Sequence, residues 1–380
     1  MKQEKYMTDM NIFARWGVDR PLFGFSHSLP VVRAVTLAGG IGVWGATRNT
    51  PDEIEAGLAV LAETCQGRPF GVDLVLPKNM PETEDRSLIE AQIPEGHIRF
   101  IEGLRAKYAV ADDGQSGLRS RFLRSQEMGA KQLQAVIDSA VPIVAMGVGS
   151  PQEAVAQAKA ARKTVISLVG SPKHARKAIA AGADILVAQG YDAGAHTGEI
   201  GTFSLVPQVV AEAGDVPVVV AGGVATSAHV AAALALGGVG VWVGTAWLFS
   251  EENDTDERVL AKLIAAGSDD TVRSRADSGK TLRQIKTAWT TEWSADGAPT
   301  PLPMPYQDIL VGDFLGAAQR QGVEPLLKSE AGQSVAYFDR RATVAEIMDG
   351  LLGDYRARRV AAQRLVPTTS AHSGRGHEGA

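Results

Sequence analysis

The chain has 380 residues, 45% hydrophobic and 21% charged, a balance that predicts a folded globular protein and excludes a disordered or acidic-tail chain. Lys and Arg number 38 against 43 Asp and Glu, so a net charge of −5 argues against nucleic-acid binding and leaves small molecules as the expected partners. The single cysteine, Cys65, excludes an intrachain disulfide and a cysteine-based metal site, and suits a reducing cytoplasm.

Residues 1–17 scatter their charges without an apolar centre, so no secretory signal is expected and the location predicted is cytoplasmic. Apolar runs then recur along the chain: Leu22–Phe25, Ile41–Ala46, Phe70–Leu76, Pro142–Met146, Val165–Val169, Ile185–Ala188, Val218–Ala221 and Val239–Val243. Most lack period-two alternation, which is the pattern of parallel strands buried on both faces. Between them lie Ala-rich helices. Their starts are legible at Thr50-Pro-Asp-Glu53, Ser150-Pro-Gln-Glu153 and Ser171-Pro-Lys-His174, the first two reading as capping boxes. Their ends are legible at Gly39, Gly182 and Gly237, where glycine accepts the left-handed conformation that closes a helix. Eight such units predict an α/β fold of the (β/α)8 TIM-barrel type, with an open doubly wound sheet as the rival.

Residues 78–136 read as an insertion between the third and fourth strands, with a helix over Pro94–Val110. The uncharged stretch Val230–Phe249 is long enough to raise the question of a membrane span, but Gly237, Gly238, Gly240 and Gly244 divide it into a helix and a strand. The barrel is therefore assigned to residues 1–250. Residues 251–366 read as an additional, mainly helical domain, with helices over Arg258–Ala266, Val272–Trp289, Tyr306–Arg320 and Thr343–Arg364. The Ser/Gly/His-rich end, 367–380, is expected to be disordered.

In a barrel of this type chemistry belongs at the C-terminal ends of the strands. Gly222-Gly223 follows the seventh run and Gly244-Thr245 the eighth, where exposed backbone amides can take a phosphate. The loop Gln189–Gly198 after the sixth run carries His196, a candidate general base because imidazole titrates near neutrality. His27, past the first run, is a second candidate. Gly40-Ile-Gly-Val-Trp-Gly45 matches a dinucleotide-binding pattern, but it closes a helix and enters a strand, the reverse of what that site requires.

These segments resemble the nitronate monooxygenase family, formerly the 2-nitropropane dioxygenases. Gln189-Gly-Tyr-Asp-Ala-Gly-Ala-His196-Thr-Gly is similar to the family's QGxEAGGHxG, and Ala221-Gly-Gly-Val-Ala225, Gly240-Val-Trp-Val-Gly-Thr245, Leu37-Ala-Gly-Gly-Ile-Gly42 and Ala331-Gly-Gln-Ser334 fit as well. The resemblance implies an FMN-dependent barrel that oxidises nitronates or nitroalkanes with molecular oxygen to a carbonyl compound and nitrite. It implies that Gly223, Gly244 and Thr245 hold the FMN phosphate with Gly222 also at the cofactor, that Gln189, Ala193 and Gly194 line the flavin, and that His196 is the catalytic base.

There are three departures from the family pattern. Gly24-Phe25-Ser-His27 replaces QAPM on the first strand, Asp73 replaces the asparagine of FGVNL, and Val169 stands where a flavin-side lysine is frequent. Gly24, Phe25 and Asp73 are thereby expected against the flavin ring. An ionised Asp73 would disfavour a reduced anionic flavin unless it is protonated or paired. An NAD(P)H-dependent quinone or enoyl-thioester reductase and a non-catalytic flavin-binding protein are the alternative readings. No metal, membrane or nucleic-acid partner is expected, and a homo-oligomer is compatible with the sequence.

Overall fold

A computed structural model describes residues 11–76, 80–82, 85–358 and 360. The expected disordered end, 367–380, lies outside the described residues. The apolar runs form strands β1 (Leu22–Ser26), β2 (Ile41–Gly45), β3 (Gly71–Val75), β4 (Ile143–Gly147), β5 (Thr164–Val169) and β6 (Ile185–Gln189). After a two-residue strand, β7 (Ala195–His196), come β8 (Val218–Ala221) and β9 (Gly240–Val243). All except β7 are parallel neighbours in one closed barrel of eight strands. Closure is visible at β1, where Phe23 pairs with Ile41 on β2 while Leu22 pairs with Val241 on β9. The open-sheet alternative is thereby excluded.

Phe23, Val43, Ile143, Ile166, Val187, Val219 and Trp242 fill the barrel interior, and a second layer of Val, Leu and Ala packs between strands and helices. Burial on both faces is why these strands lack polar alternation. The Gly40–Gly45 motif has a packing cause: a Cβ on Gly42 would lie 2.1 Å from the Val32 carbonyl oxygen, so glycine lets β2 approach the helix Leu29–Leu37.

Thr50 forms the expected capping box with Glu53, and Ser171 accepts a hydrogen bond from the His174 amide. Ser150 does not cap. The helix there begins at Gln152 behind Pro151, and the Ser150 hydroxyl donates instead to Ser167 Oγ at 2.8 Å. Next to it Val148 holds φ +57°, a strained value for a β-branched residue, as the chain turns out of β4.

The barrel's last outer helix is distant in sequence. Val344–Leu352 packs between Leu29–Leu37 and Ser227–Ala235, its Val344, Ile347, Met348 and Leu351 sharing a core with Val31, Val35, Val230 and Leu234. Residues 251–343 are thus an excursion between the eighth strand and its helix, and a boundary at 250 divides the barrel. On the other side, Gln126–Asp138 packs on the helix Pro51–Thr64 and on β3, so the end of the expected insertion belongs to the barrel as well.

The insertion and the excursion pack together. Ile101 and Leu104 of the helix Glu95–Lys107 meet Trp289, Trp293 and Phe314, and Gly117 touches the backbone of Gly312, leaving no room for a Cβ. The expected helix over Val272–Trp289 is not formed. Two strands, β10 (Thr271–Ser274) and β11 (Leu282–Ile285), make an antiparallel pair there, with Gly279 at φ +74° between them. The free edge of β11 takes up β7 from the barrel loop, a tertiary pairing that local sequence cannot announce. Among the described residues no helix is long and apolar enough to cross a membrane.

Candidate active site

A cleft of about 1290 Å³ opens at the C-terminal ends of the barrel strands. It is lined by Phe25, Asp73, Gln189, Ala193, Gly194, His196, Gly222, Gly223, Gly244 and Thr245, so nearly every residue singled out from the sequence meets there. Gly24 does not. Its Cβ direction points outward, 2.8 Å from the Val35 methyls, because side chains alternate along a strand and Phe25 is the one turned inward. Gly24 serves helix packing.

Phe25 and Trp242 stack in the cleft with ring centroids 6.0 Å apart, and Val169 also lines the cleft, from β5. Asp73, 6% exposed, lines the cleft from β3, and its Oδ1 has no hydrogen-bond partner among the described residues. Burial alone raises its pKa well above the ordinary carboxyl value. The shift favours the protonated form of Asp73, whose O–H can donate.

The turn after β8 is built from two residues in the left-handed region, Gly222 at φ +99° and Gly223 at φ +75°. Thr202 fixes it by donating from Oγ1 to the Gly222 carbonyl at 3.1 Å, while its own amide donates to Asp192 at 2.8 Å. The amides of Gly223, Val224 and Gly244 find no acceptor among the described residues. Beside them, Thr245 Oγ1 accepts from the Gly332 amide at 3.0 Å, leaving its proton available. The Gln333 amide donates to the Asp192 carbonyl at 2.9 Å, so Ala331–Ser334 is fastened over the loop after β6.

His196 stands on β7 opposite Leu282, with Nδ1 3.3 Å from the Thr281 carbonyl oxygen. A carbonyl only accepts, which assigns the proton to Nδ1 and leaves Nε2 basic. Burial, followed by the charges of Arg119 and Arg124, lowers the His196 pKa to about 3, so the ring is neutral near pH 7. Its residual exposure is to the cleft. His27 is also neutral, lowered to about 4 by burial and then Arg48. Its Nδ1 donates to the Gly45 carbonyl at 2.6 Å and its ring meets Phe25 edge-on, contacts that make it a wall of the cleft.

Sequence reasoning missed the charged roof. Arg48, Arg119, Arg124, Lys280 and Glu330 line the cleft, drawn from the β2 loop, the insertion and the excursion. Glu330 pairs with Arg119 at 2.6 Å, Lys328 at 3.3 Å and Arg48 at 3.4 Å. Burial pushes the Glu330 carboxyl up, but Lys328, Arg48 and Arg119 together hold it well below the usual range. Lys328 also pairs with the fully buried Asp277 at 2.5 Å. The available signal was the basic run Arg119, Arg121 and Arg124 in an acidic chain, read there only as part of an insertion. Among the described residues no cluster suited to a metal ion occurs.

A closed barrel with free glycine amides and a neutral histidine at its rim defines the class of site, and the sequence model of the nitronate monooxygenase family matches residues 15–354. The chain is a flavin-dependent oxidoreductase. It belongs to the nitronate monooxygenase family. A Mycobacterium tuberculosis protein named as a monooxygenase, Rv1533, is 38% identical over 351 residues, covering 88% of this chain and 93% of the relative. A Staphylococcus aureus relative named as a nitronate monooxygenase is 29% identical over 321 residues, covering 80% and 84%. The solved nitroalkane oxidase of Streptomyces ansochromogenes superposes with a TM-score of 0.77 at 27% identity, covering 91% of this chain and 98% of that one. FabK of Thermotoga maritima shares the fold, with a TM-score of 0.70 at 23% identity and coverage of 94% and 99%.

Proposed function

We infer that the cleft holds FMN and oxidises alkyl nitronates, and nitroalkanes after loss of a proton, to a carbonyl compound and nitrite with molecular oxygen. The observation that carries this reading is a neutral imidazole of assigned tautomer in the same cleft as a set of unused backbone amides.

The residues present fit the cofactor. The amides of Gly223, Val224 and Gly244 and the Thr245 hydroxyl offer donors for a phosphate, and Asp73, whose Oδ1 lacks a partner among the described residues, lines the same cleft. Gln189, Ala193 and Gly194 border the same space, with Phe25 and Trp242 as an apolar backing. When bound, FMN supplies the electron-transfer and oxygen chemistry.

His196 Nε2 takes the proton from the carbon beside the nitro group, while the Thr281 carbonyl holds Nδ1–H and stabilises the imidazolium that forms. The positive charges that depress its basicity in the free protein are offset as negative charge develops on the nitronate, so basicity rises as the proton moves. Burial favours the protonated form of Asp73, which would restore the donor that an asparagine provides and add no negative charge. Hydride transfer from a nicotinamide needs no base, and the pinned tautomer of His196 favours the nitro chemistry over that alternative. The test is purification of the flavoprotein, identification of its cofactor, and assay of nitrite release from alkyl nitronates in air.

A further inference from the structure

The closed strand order sets β3 opposite β8 and β4 opposite β9 across the mouth of the barrel, four strands away in either direction. The glycine amides of the turns after β8 and β9 therefore stand on one side of the cleft, with Asp73 of β3 and Gly147 of β4 on the other. A mononucleotide held by its phosphate at the first side and lying in the cleft extends its ring toward the second.

Asp73 is isolated there. Its register partners are Gly45 on β2 and Ala145 on β4, neither with a polar side chain, and the apolar barrel interior of Val43, Ile143 and Ala145 lies beside it. From β4, Gly147 brings nothing: even an added Cβ would stay 3.8 Å from Asp73 Oδ1. Against Gly45 stands the His27 ring, neutral and bonded to the Gly45 carbonyl. Behind β3, the helix Gln126–Asp138 packs on Val72 and Leu74, and its Glu127, Lys131 and Asp138 stand in solvent. Arg48, Arg119 and Arg124 shift the histidines of the cleft, but none of them shifts Asp73, for which burial is the whole cause. The carboxyl thus has no cation to hold it ionised and no donor on Oδ1, at the end of the cleft that a flavin ring would reach.

We propose that Asp73 is a redox-linked proton site, which binds a proton when the cofactor is reduced and releases it when the cofactor is reoxidised. This rests on the reading of the cleft as an FMN site, and not on the identity of the electron donor. Reduction of the ring by two electrons and one proton leaves one negative charge on it. Where Asp73 is already neutral, nothing more is bound. Where Asp73 is ionised, a carboxylate and an anionic ring repel in one buried site, so the carboxylate takes a second proton from solvent and the sum becomes two electrons and two protons. A nitronate supplies the electrons in turnover, and molecular oxygen takes them back as the proton leaves. The asparagine of the family pattern has no proton to exchange, so the device belongs to the substitution at position 73.

The test is the midpoint potential of the holoenzyme, measured against a reference dye with dithionite as reductant across neutral and alkaline pH, in the native protein, Asp73→Asn and Asp73→Ser. One proton per two electrons moves the equilibrium about tenfold per pH unit, or about 30 mV, and two protons about a hundredfold, or about 60 mV. The native potential is expected to fall by the smaller step per pH unit at the acid end, and by the larger one above the pH at which Asp73 ionises in the oxidised protein. Both variants are expected to keep the smaller step throughout. A second readout needs no electrons: the visible band of the oxidised protein should shift over the pH range in which Asp73 ionises and stay fixed in Asp73→Asn. Matching slopes in native protein and variants, with flavin bound, overturn the proton site and leave the cofactor reading standing. Purified protein that binds no FMN overturns the cofactor reading, and the proton site with it. A steeper native slope in a protein that oxidises no nitronate keeps the proton site and removes the reaction.

Discussion

Leu282 and His196 face each other across an antiparallel pairing that joins the excursion to a barrel loop. The base candidate is therefore held by a strand that enters the chain some distance downstream, and the same strand contributes Arg283, which is 2% exposed and donates to the Tyr191 carbonyl at 3.1 Å and to Thr271 at 2.8 Å. Arg283 and Arg273 also lie over the Tyr191 ring, each 4.5 Å from its centroid. Arg283→Met leaves the Tyr191 carbonyl without this donor and is expected to cost about 1–3 kcal/mol of stability. Denaturant unfolding measures that cost, and a lower kcat at unchanged flavin affinity would show that the His196 loop is what loosens.

His196→Asn removes the imidazole proposed as the base and keeps a polar side chain. Turnover of neutral nitroalkanes is expected to fall about 100-fold or more, while preformed nitronates, which need no proton removed, lose much less. Parallel steady-state assays of a nitroalkane and its nitronate check this. Equal losses on both would assign His196 to positioning alone.

Both cleft histidines fold in the neutral form, with pKa values of about 4 for His27 and about 3 for His196. The unfolded chain takes up these protons near the ordinary histidine value of about 6.5, so it binds more protons than the native state below that pH. Stability is expected to fall as pH drops from about 6.5 toward 4. His27→Gln should flatten this acid limb in melting temperatures taken across pH, and an unchanged limb would contradict the burial of a neutral ring.

Asp73 titrates with the opposite sign. Its folded pKa is raised, so between the ordinary carboxyl value and the raised one the native state holds a proton that the unfolded chain has lost. Stability therefore declines as pH rises through that window. Asp73→Asn removes the penalty while keeping a donor, and is expected to raise the melting temperature at neutral pH and to bind flavin with similar affinity. Asp73→Leu, which fills the space without a donor, should bind flavin less tightly.

Gly223 at φ +75° leaves 3.5 Å between an added Cβ and Asp192 Cβ, so conformation rather than space requires glycine there. Gly223→Ala is expected to cost about 1–2 kcal/mol in the left-handed backbone and to weaken flavin binding as the free amides turn away. Flavin titration of the apoprotein by fluorescence quenching measures it.

The parts of the fold written in local pattern were legible in the sequence. The doubly buried runs became the strands, Thr50 and Ser171 capped their helices, and the glycines after β8 and β9 came together with Asp73, Gln189 and His196 at one rim. What escaped is what tertiary contact decides. Leu282–Ile285 becomes a strand because it pairs with β10 and β7, Val344–Leu352 becomes a barrel helix because a gap remains between two others, and Ser150 abandons its cap for Ser167. Gly24 was misplaced by one residue of strand alternation. Arg119, Arg124, Lys280 and Glu330 carry no motif, and only folding brings the insertion and the excursion over the same cleft.

The central claim is met most directly by anaerobic titration of the purified flavoprotein, followed by its visible absorbance. An alkyl nitronate should bleach the oxidised flavin band, with nitrite appearing when oxygen is admitted, and NADPH alone should leave the band intact. Rapid bleaching by NADPH together with no response to the nitronate would contradict the account.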